Sequence, residues 1–160
     1  MFVSIKYKDY LFVGIQLLLF ITYILAPNYI KLNLQTFHSI TGLAITIIGF
    51  VIILVAILQL NVNLSPFPTP TKNGSLLKTG VYKYVRHPIY SGILMAAAGF
   101  SFYSNDGCRI LITLALLLLF YFKSNYEEKL LKKQFSDYAV YMLKTGKFFP
   151  TFKQLFHLNK

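Results

Sequence analysis

From Ile40 to Leu60 the chain runs for 21 residues without a charge, rich in Ile, Val and Leu, with Gln59 its one amide. At 1.5 Å rise per residue, such a stretch crosses a hydrocarbon core of about 30 Å as one helix. The rest of the chain must fold around a membrane span. Tyr10 to Ala26 adds 17 uncharged residues, continued weakly to Ile30, and reads as a second span. Two further runs are short for a full crossing: Ile89 to Tyr103 with 15 uncharged residues and Ile110 to Phe122 with 13. Between them Ser104-Asn105-Asp106-Gly107 has the composition of a tight turn, because Asn, Asp and Gly tolerate positive φ. The pair therefore forms a helical hairpin, either spanning or shallower, that returns the chain to the side it left.

With 56% hydrophobic and 13% charged residues, the 160-residue chain is too apolar for an ordinary soluble domain. The net charge of +11 suggests nucleic-acid binding until the bases are sorted by side. One side holds fourteen: Lys6, Lys8, Lys72, Lys78, Lys83, Arg86 and the eight lysines from Lys123 to Lys160. The other holds only Lys31 and Arg109. By the positive-inside rule both termini face the cytoplasm, and no nucleic-acid partner is expected. The aromatic and basic tail is then an interfacial segment. The first run is read as a retained anchor, since Pro27 follows Ala26 and no small-x-small cleavage pattern precedes it. Cys108 excludes an intramolecular disulfide, and His38, His87 and His157 are too dispersed for a metal site.

The expected fold is all-α: an integral-membrane bundle of about four transmembrane helices, with the hairpin carrying the site and an amphipathic C-terminal tail. One domain covers 1–160, comprising two N-terminal helices over 1–62, a core over 63–150 and a basic tail over 151–160. The core opens on Ser65-Pro66-Phe67-Pro68-Thr69-Pro70, where alternate prolines fix φ and remove donors, giving a stiff extended spacer before a turn at Lys72-Asn73-Gly74.

The chemistry-bearing residues lie at the hairpin's two cytoplasmic ends. Pro88 suits the first turn of a helix, so Arg86 and His87 sit at a helix N-terminus, where unpaired N–H groups and the helix dipole favour an anion. Glu127 and Glu128, two of only five acids, lie one turn beyond the fourth run. Each element also has an ordinary explanation: a base beside lipid head groups, and a solvated helix with Glu128 paired to Lys132. The small residues Gly92, Ala96, Ala97, Ala98 and Gly99 favour close helix packing. The hairpin brings the two charged ends together, and a cation on one wall with carboxylates on the other suits a zwitterion such as the amino-acid part of S-adenosylmethionine.

The stretch GVYKYVRHPIYSG, the small-residue helix, the helix ending in EEKLL, and Tyr138-Ala-Val-Tyr141 up to Phe149-Pro150 together resemble the isoprenylcysteine carboxyl methyltransferase family. Phospholipid N-methyltransferases are the broader relatives. The resemblance covers roughly Asn63 to Pro150 and implies a bacterial-type integral-membrane methyltransferase of the cytoplasmic membrane, using S-adenosylmethionine and no metal. It implies a cofactor site of Tyr82, Arg86, His87, Pro88, Tyr90, Gly92, Glu127 and Glu128, with Arg86 and Glu128 as catalytic residues and Tyr141 and Pro150 nearby. The acceptor would be a lipid-like amphiphile arriving from the bilayer, methylated at a carboxylate or an amine. The chain lacks the glycine-rich fingerprint and βα alternation of a Rossmann sheet. Two competing functions are a nicotinamide-dependent membrane reductase and a non-enzymatic scaffold or transporter; for transport, Gln16 and Gln59 are the scarce intramembrane polar residues.

Overall fold

The computed structural model describes residues 5–32, 36–71 and 74–151. Five α-helices follow in order: α1 (Tyr7–Leu25), α2 (Thr36–Leu60), α3 (Pro88–Tyr103), α4 (Gly107–Gln134) and α5 (Tyr138–Lys144). Three of them, α1, α2 over His38–Leu60, and α4, are long and apolar enough to cross a membrane. Leu18, Ile21, Leu54 and Leu118 stand exposed along them, as expected of side chains that face lipid.

The two short apolar runs become helices of unequal length. α3 stops after 16 residues, whereas α4 continues for 28, past the end of its apolar run at Phe122. Glu, Lys, Leu and Gln are good helix formers, so the backbone ladder does not stop where hydropathy does. Lys132 and Lys133 in the last turn also oppose the negative end of the dipole. The turn forms where the sequence places it: Asn105 adopts φ 52°, and the Asp106 carboxylate caps α4 by accepting from the N–H groups of Cys108 at 2.9 Å and Arg109 at 3.3 Å. Lys31 lies beside this turn, paired through its backbone with Asp106. The two bases assigned to one side of the membrane therefore share one end of the bundle.

α2 and α3 pack nearly backbone to backbone. A Cβ added at Gly49 would lie 2.5 Å from the Ala96 amide nitrogen, and one at Gly99 would lie 2.6 Å from the Gly42 carbonyl oxygen. Small residues are required along this seam. α1 packs on α4 and reaches α3 through the Tyr23 hydroxyl, which donates to the Ala97 carbonyl at 2.6 Å.

The proline-rich spacer, here called the strap, runs as bends without helix from Ser65 to Pro70, with Pro68 and Thr69 buried. The expected turn closes through the Gly74 N–H donating to the Thr71 carbonyl at 3.1 Å, although Lys72 and Asn73 lie outside the described residues. The basic tail beyond Thr151, including His157, also lies outside them.

Candidate functional site

The segment before α3 is fixed by backbone pairing. Val85 bridges Gly146 in parallel; the Arg86 N–H donates to the Gly146 carbonyl at 2.9 Å and the His87 N–H to the Lys147 carbonyl at 3.1 Å. A Cβ at Gly146 would collide with the Phe149 carbonyl, so this return loop admits only glycine there. Pro88 takes the first position of α3 with His87 as its N-cap, as the sequence indicates.

Arg86 and Glu128 meet directly. Arg86 Nε donates to Glu128 Oε1 at 2.9 Å, and its Nη1 donates to the carbonyls of Met142, at 3.1 Å, and Thr145. Their side chains are only 9% and 7% exposed. The sequence expectation of a cation and carboxylates on opposing walls is therefore revised. At hydrogen-bond distance Arg86 and Glu128 pair with one another, and the guanidinium also satisfies the open carbonyls at the end of α5. Glu128 faces inward, with Lys147 Nζ 3.6 Å from its Oε2, rather than outward toward Lys132.

Glu127 points elsewhere, as the 100° step between helical neighbours requires. The Tyr90 hydroxyl donates to Glu127 Oε2 at 2.9 Å, and that oxygen lies 3.8 Å from His87 Nδ1. His87 Nε2 is 3.1 Å from Glu128 Oε1, so one imidazole touches both carboxylates. The ring stacks on Tyr90 at 5.4 Å, and Tyr90 stacks on Phe120 at 4.6 Å, a column of three nearly parallel rings. Glu127 is the more open acid, 25% exposed.

These residues border a cavity of about 370 Å³. Tyr82, Arg86, His87, Pro88, Tyr90, Glu127 and Tyr141 line it, together with the whole strap. Two residues grouped with them from the sequence stand apart. Glu128 sits behind Arg86 and His87 rather than on the cavity surface. Gly92 faces α2, where an added Cβ would come 2.8 Å from the Gly49 carbonyl oxygen, so it serves the helix seam. Pro150 is exposed at the end of the return loop. Tyr141 donates to the Tyr82 carbonyl at 2.5 Å. Burial pushes the Tyr141 hydroxyl up to about 12 and raises those of Tyr82 and Tyr138 as well, so all three stay neutral at physiological pH.

Two further residues escape a reading of the sequence. Lys123, counted above among the fourteen bases of one side, is 2% exposed; its Nζ donates to Gln16 Oε1 at 2.7 Å and to the Pro66 carbonyl at 3.0 Å. Asp9 is wholly buried and accepts from the Thr69 N–H at 2.9 Å and the Thr69 hydroxyl at 2.8 Å. Lone polar residues on apolar helices carry no periodic signal; the one clue is that Lys123 falls one turn before Glu127 on the same face.

A helical membrane bundle with a cavity bordered by Glu127 at one end defines the class: an integral-membrane protein with a polar group set into an apolar fold. Residues 37–138 match the phospholipid methyltransferase family model, and the chain belongs to that family. The fold is shared with a solved structure of the eukaryotic intramembrane Ras methyltransferase, isoprenylcysteine carboxyl methyltransferase. The TM-score is 0.61 at 24% identity, covering 92% of this chain and 54% of that one. The chain thus spans about half the length of that enzyme. No curated protein matches.

Proposed function

We propose that the chain is an S-adenosylmethionine-dependent methyltransferase whose cavity opens at the cytoplasmic face and whose acceptor is a lipid-like amphiphile. The observation that carries this reading is Glu127, held by Tyr90 beside His87 at the wall of a cavity lined mostly by residues of the family-matched region. The residues present suit the cofactor: a cavity of about 370 Å³ falls in the range of roughly 300–1,000 Å³ typical of small-molecule sites. A carboxylate suits an ammonium or ribose hydroxyls, and the Tyr82 and Tyr141 rings suit a cation. When bound, the cofactor supplies an electrophilic methyl group on a sulfonium.

The chain's own residues supply position and dryness. Tyr90 holds Glu127 through a hydrogen bond, with His87 3.8 Å from the same oxygen. Glu128 holds Arg86 and His87, and Arg86 in turn holds the α5 end against them. The strap and the tyrosines exclude water. A carboxylate acceptor is ionised at neutral pH and needs no base; an amine acceptor must lose a proton, and His87 or Glu127 is the group placed to receive it. The excess of bases at this end supports the cytoplasmic orientation.

Titrating the purified full-length protein with S-adenosylhomocysteine by calorimetry tests the reading. Saturable binding is expected, weakened roughly thirtyfold in Glu127→Gln for the loss of a charged hydrogen-bond partner worth about 2 kcal/mol. A folded wild-type protein that takes up NADPH, or neither ligand, would overturn it.

A further inference from the structure

The strap cannot hold itself. Pro66, Pro68 and Pro70 have no backbone N–H, which leaves Phe67 and Thr69 as its interior donors. The Phe67 N–H turns back to the Ser65 hydroxyl oxygen at 3.1 Å, and the Thr69 N–H goes to Asp9. What fixes this segment in space therefore comes from other elements. Asp9 on α1 holds Thr69, the Tyr10 ring meets the Phe67 ring edge-on at 5.2 Å, and Lys123 on α4 holds the Pro66 carbonyl.

Lys123 also does something that the other two contacts do not. Its ammonium lies 5.4 Å from the centroid of the Tyr90 ring while donating to Gln16 and Pro66. Tyr90 is the residue whose hydroxyl holds Glu127. One buried cation thus joins three walls of the cavity: α1, the strap, and the Tyr90–Glu127 couple. The matched family region begins at residue 37, so Gln16 and Asp9 belong to a helix outside it, yet they brace the wall of a cavity lined mostly by residues within it.

We propose that Lys123 is a positioning residue for the methyl-transfer site: pinned by Gln16, it locks the strap and the Tyr90–Glu127 couple in register, acting through them rather than on a ligand. This inference rests on the S-adenosylmethionine reading of the cavity. It also gives α1 a part in function beyond anchoring.

The test uses the full chain in lipid nanodiscs, with a spin label at Leu64→Cys, 48% exposed beside the strap, in a Cys108→Ser background. Two quantities are read on each variant: S-adenosylhomocysteine affinity and label mobility. Lys123→Met should bind roughly tenfold more weakly, the cost of losing a buried charged hydrogen-bonding partner, and should free the label. Lys123→Arg, whose fork can still reach Gln16 and the Pro66 carbonyl, should restore both within about threefold. Gln16→Leu should fall between, and it decides the matter if Lys123→Met does not fold. A folded Lys123→Met, or failing that Gln16→Leu, with wild-type affinity and an immobile label would overturn the proposal. Failure of Lys123→Arg to restore the affinity lost in Lys123→Met would do the same. If the wild type binds no S-adenosylhomocysteine, the cofactor reading fails, while label mobility still decides whether Lys123 pins the strap.

Discussion

Arg86→Ala removes a guanidinium that is 9% exposed and makes three hydrogen bonds, one to Glu128 and two to carbonyls at the end of α5. Breaking one side of a buried ion pair costs about 3–5 kcal/mol, because the remaining charge is left in a poorly solvating place. Glu128 keeps His87 at 3.1 Å and Lys147 at 3.6 Å, which argues for the lower end, about 3 kcal/mol. At roughly 2–4 °C per kcal/mol for a chain of this size, the melting temperature should fall by about 6–12 °C. The only cysteine, Cys108, sits half-buried in the first turn of α4 at the far end of the hairpin. A thiol-reactive dye therefore reports global unfolding rather than local opening at the site. The paired variant Arg86→Met with Glu128→Leu removes both charges and should melt above Arg86→Ala, with a coupling of about 1–3 kcal/mol. A drop under about 2 °C for Arg86→Ala, or no coupling in the pair, would refute the view that these two groups hold each other rather than a ligand.

Other perturbations probe separate parts of the structure. Gly49→Ala forces a Cβ to 2.5 Å from the Ala96 nitrogen and should cost about 1–3 kcal/mol in the same melting assay, with helix content unchanged by circular dichroism. Asp9→Asn replaces an acceptor of three bonds, from Lys6 N–H, Thr69 N–H and the Thr69 hydroxyl, by a group with one acceptor oxygen; about 2 kcal/mol should be lost, measured as a lower denaturation midpoint. Alkaline stability follows from the buried phenols. Tyr141 has a folded-state value raised to about 12 from the ordinary 10.0, so its contribution is complete below pH 10 and is lost as pH rises toward 12. Melting curves should be flat in this respect up to about pH 10 and then collapse, and Tyr141→Phe should soften that collapse.

The charged site was legible because its parts are short and local. A proline after Arg86-His87 marks a helix start, adjacent glutamates mark a helix after an apolar run, and a turn of Asn and Asp joins the two helices back to back. Topology alone then brings Arg86 near Glu128. The sequence does not reveal which of two neighbouring glutamates points outward, because one helical step of 100° decides it and the phase of α4 is set by packing. The burial of Lys123 went unread for a related reason. Charge counting assumes that a lysine near the end of a span reaches water, whereas this one reaches a proline carbonyl. The apolar run ends at Phe122, yet the helix read from the sequence as ending in EEKLL runs on to Gln134, because hydropathy reports the surrounding solvent and a helix can pass through a change of solvent without ending.

The α2–α3 seam has a consequence for traffic through the bilayer. Where glycines bring two backbones within the reach of a single methyl group, no acyl chain can slide between them, so that side of the bundle is a closed wall. α1, by contrast, packs on α4 and meets α3 through the Tyr23 hydroxyl at Ala97 and Ser101. For the acceptor proposed above, the α2–α3 seam is thus closed as a route to the cavity, whereas Gly14 on α1, the helix that braces the strap, faces open space.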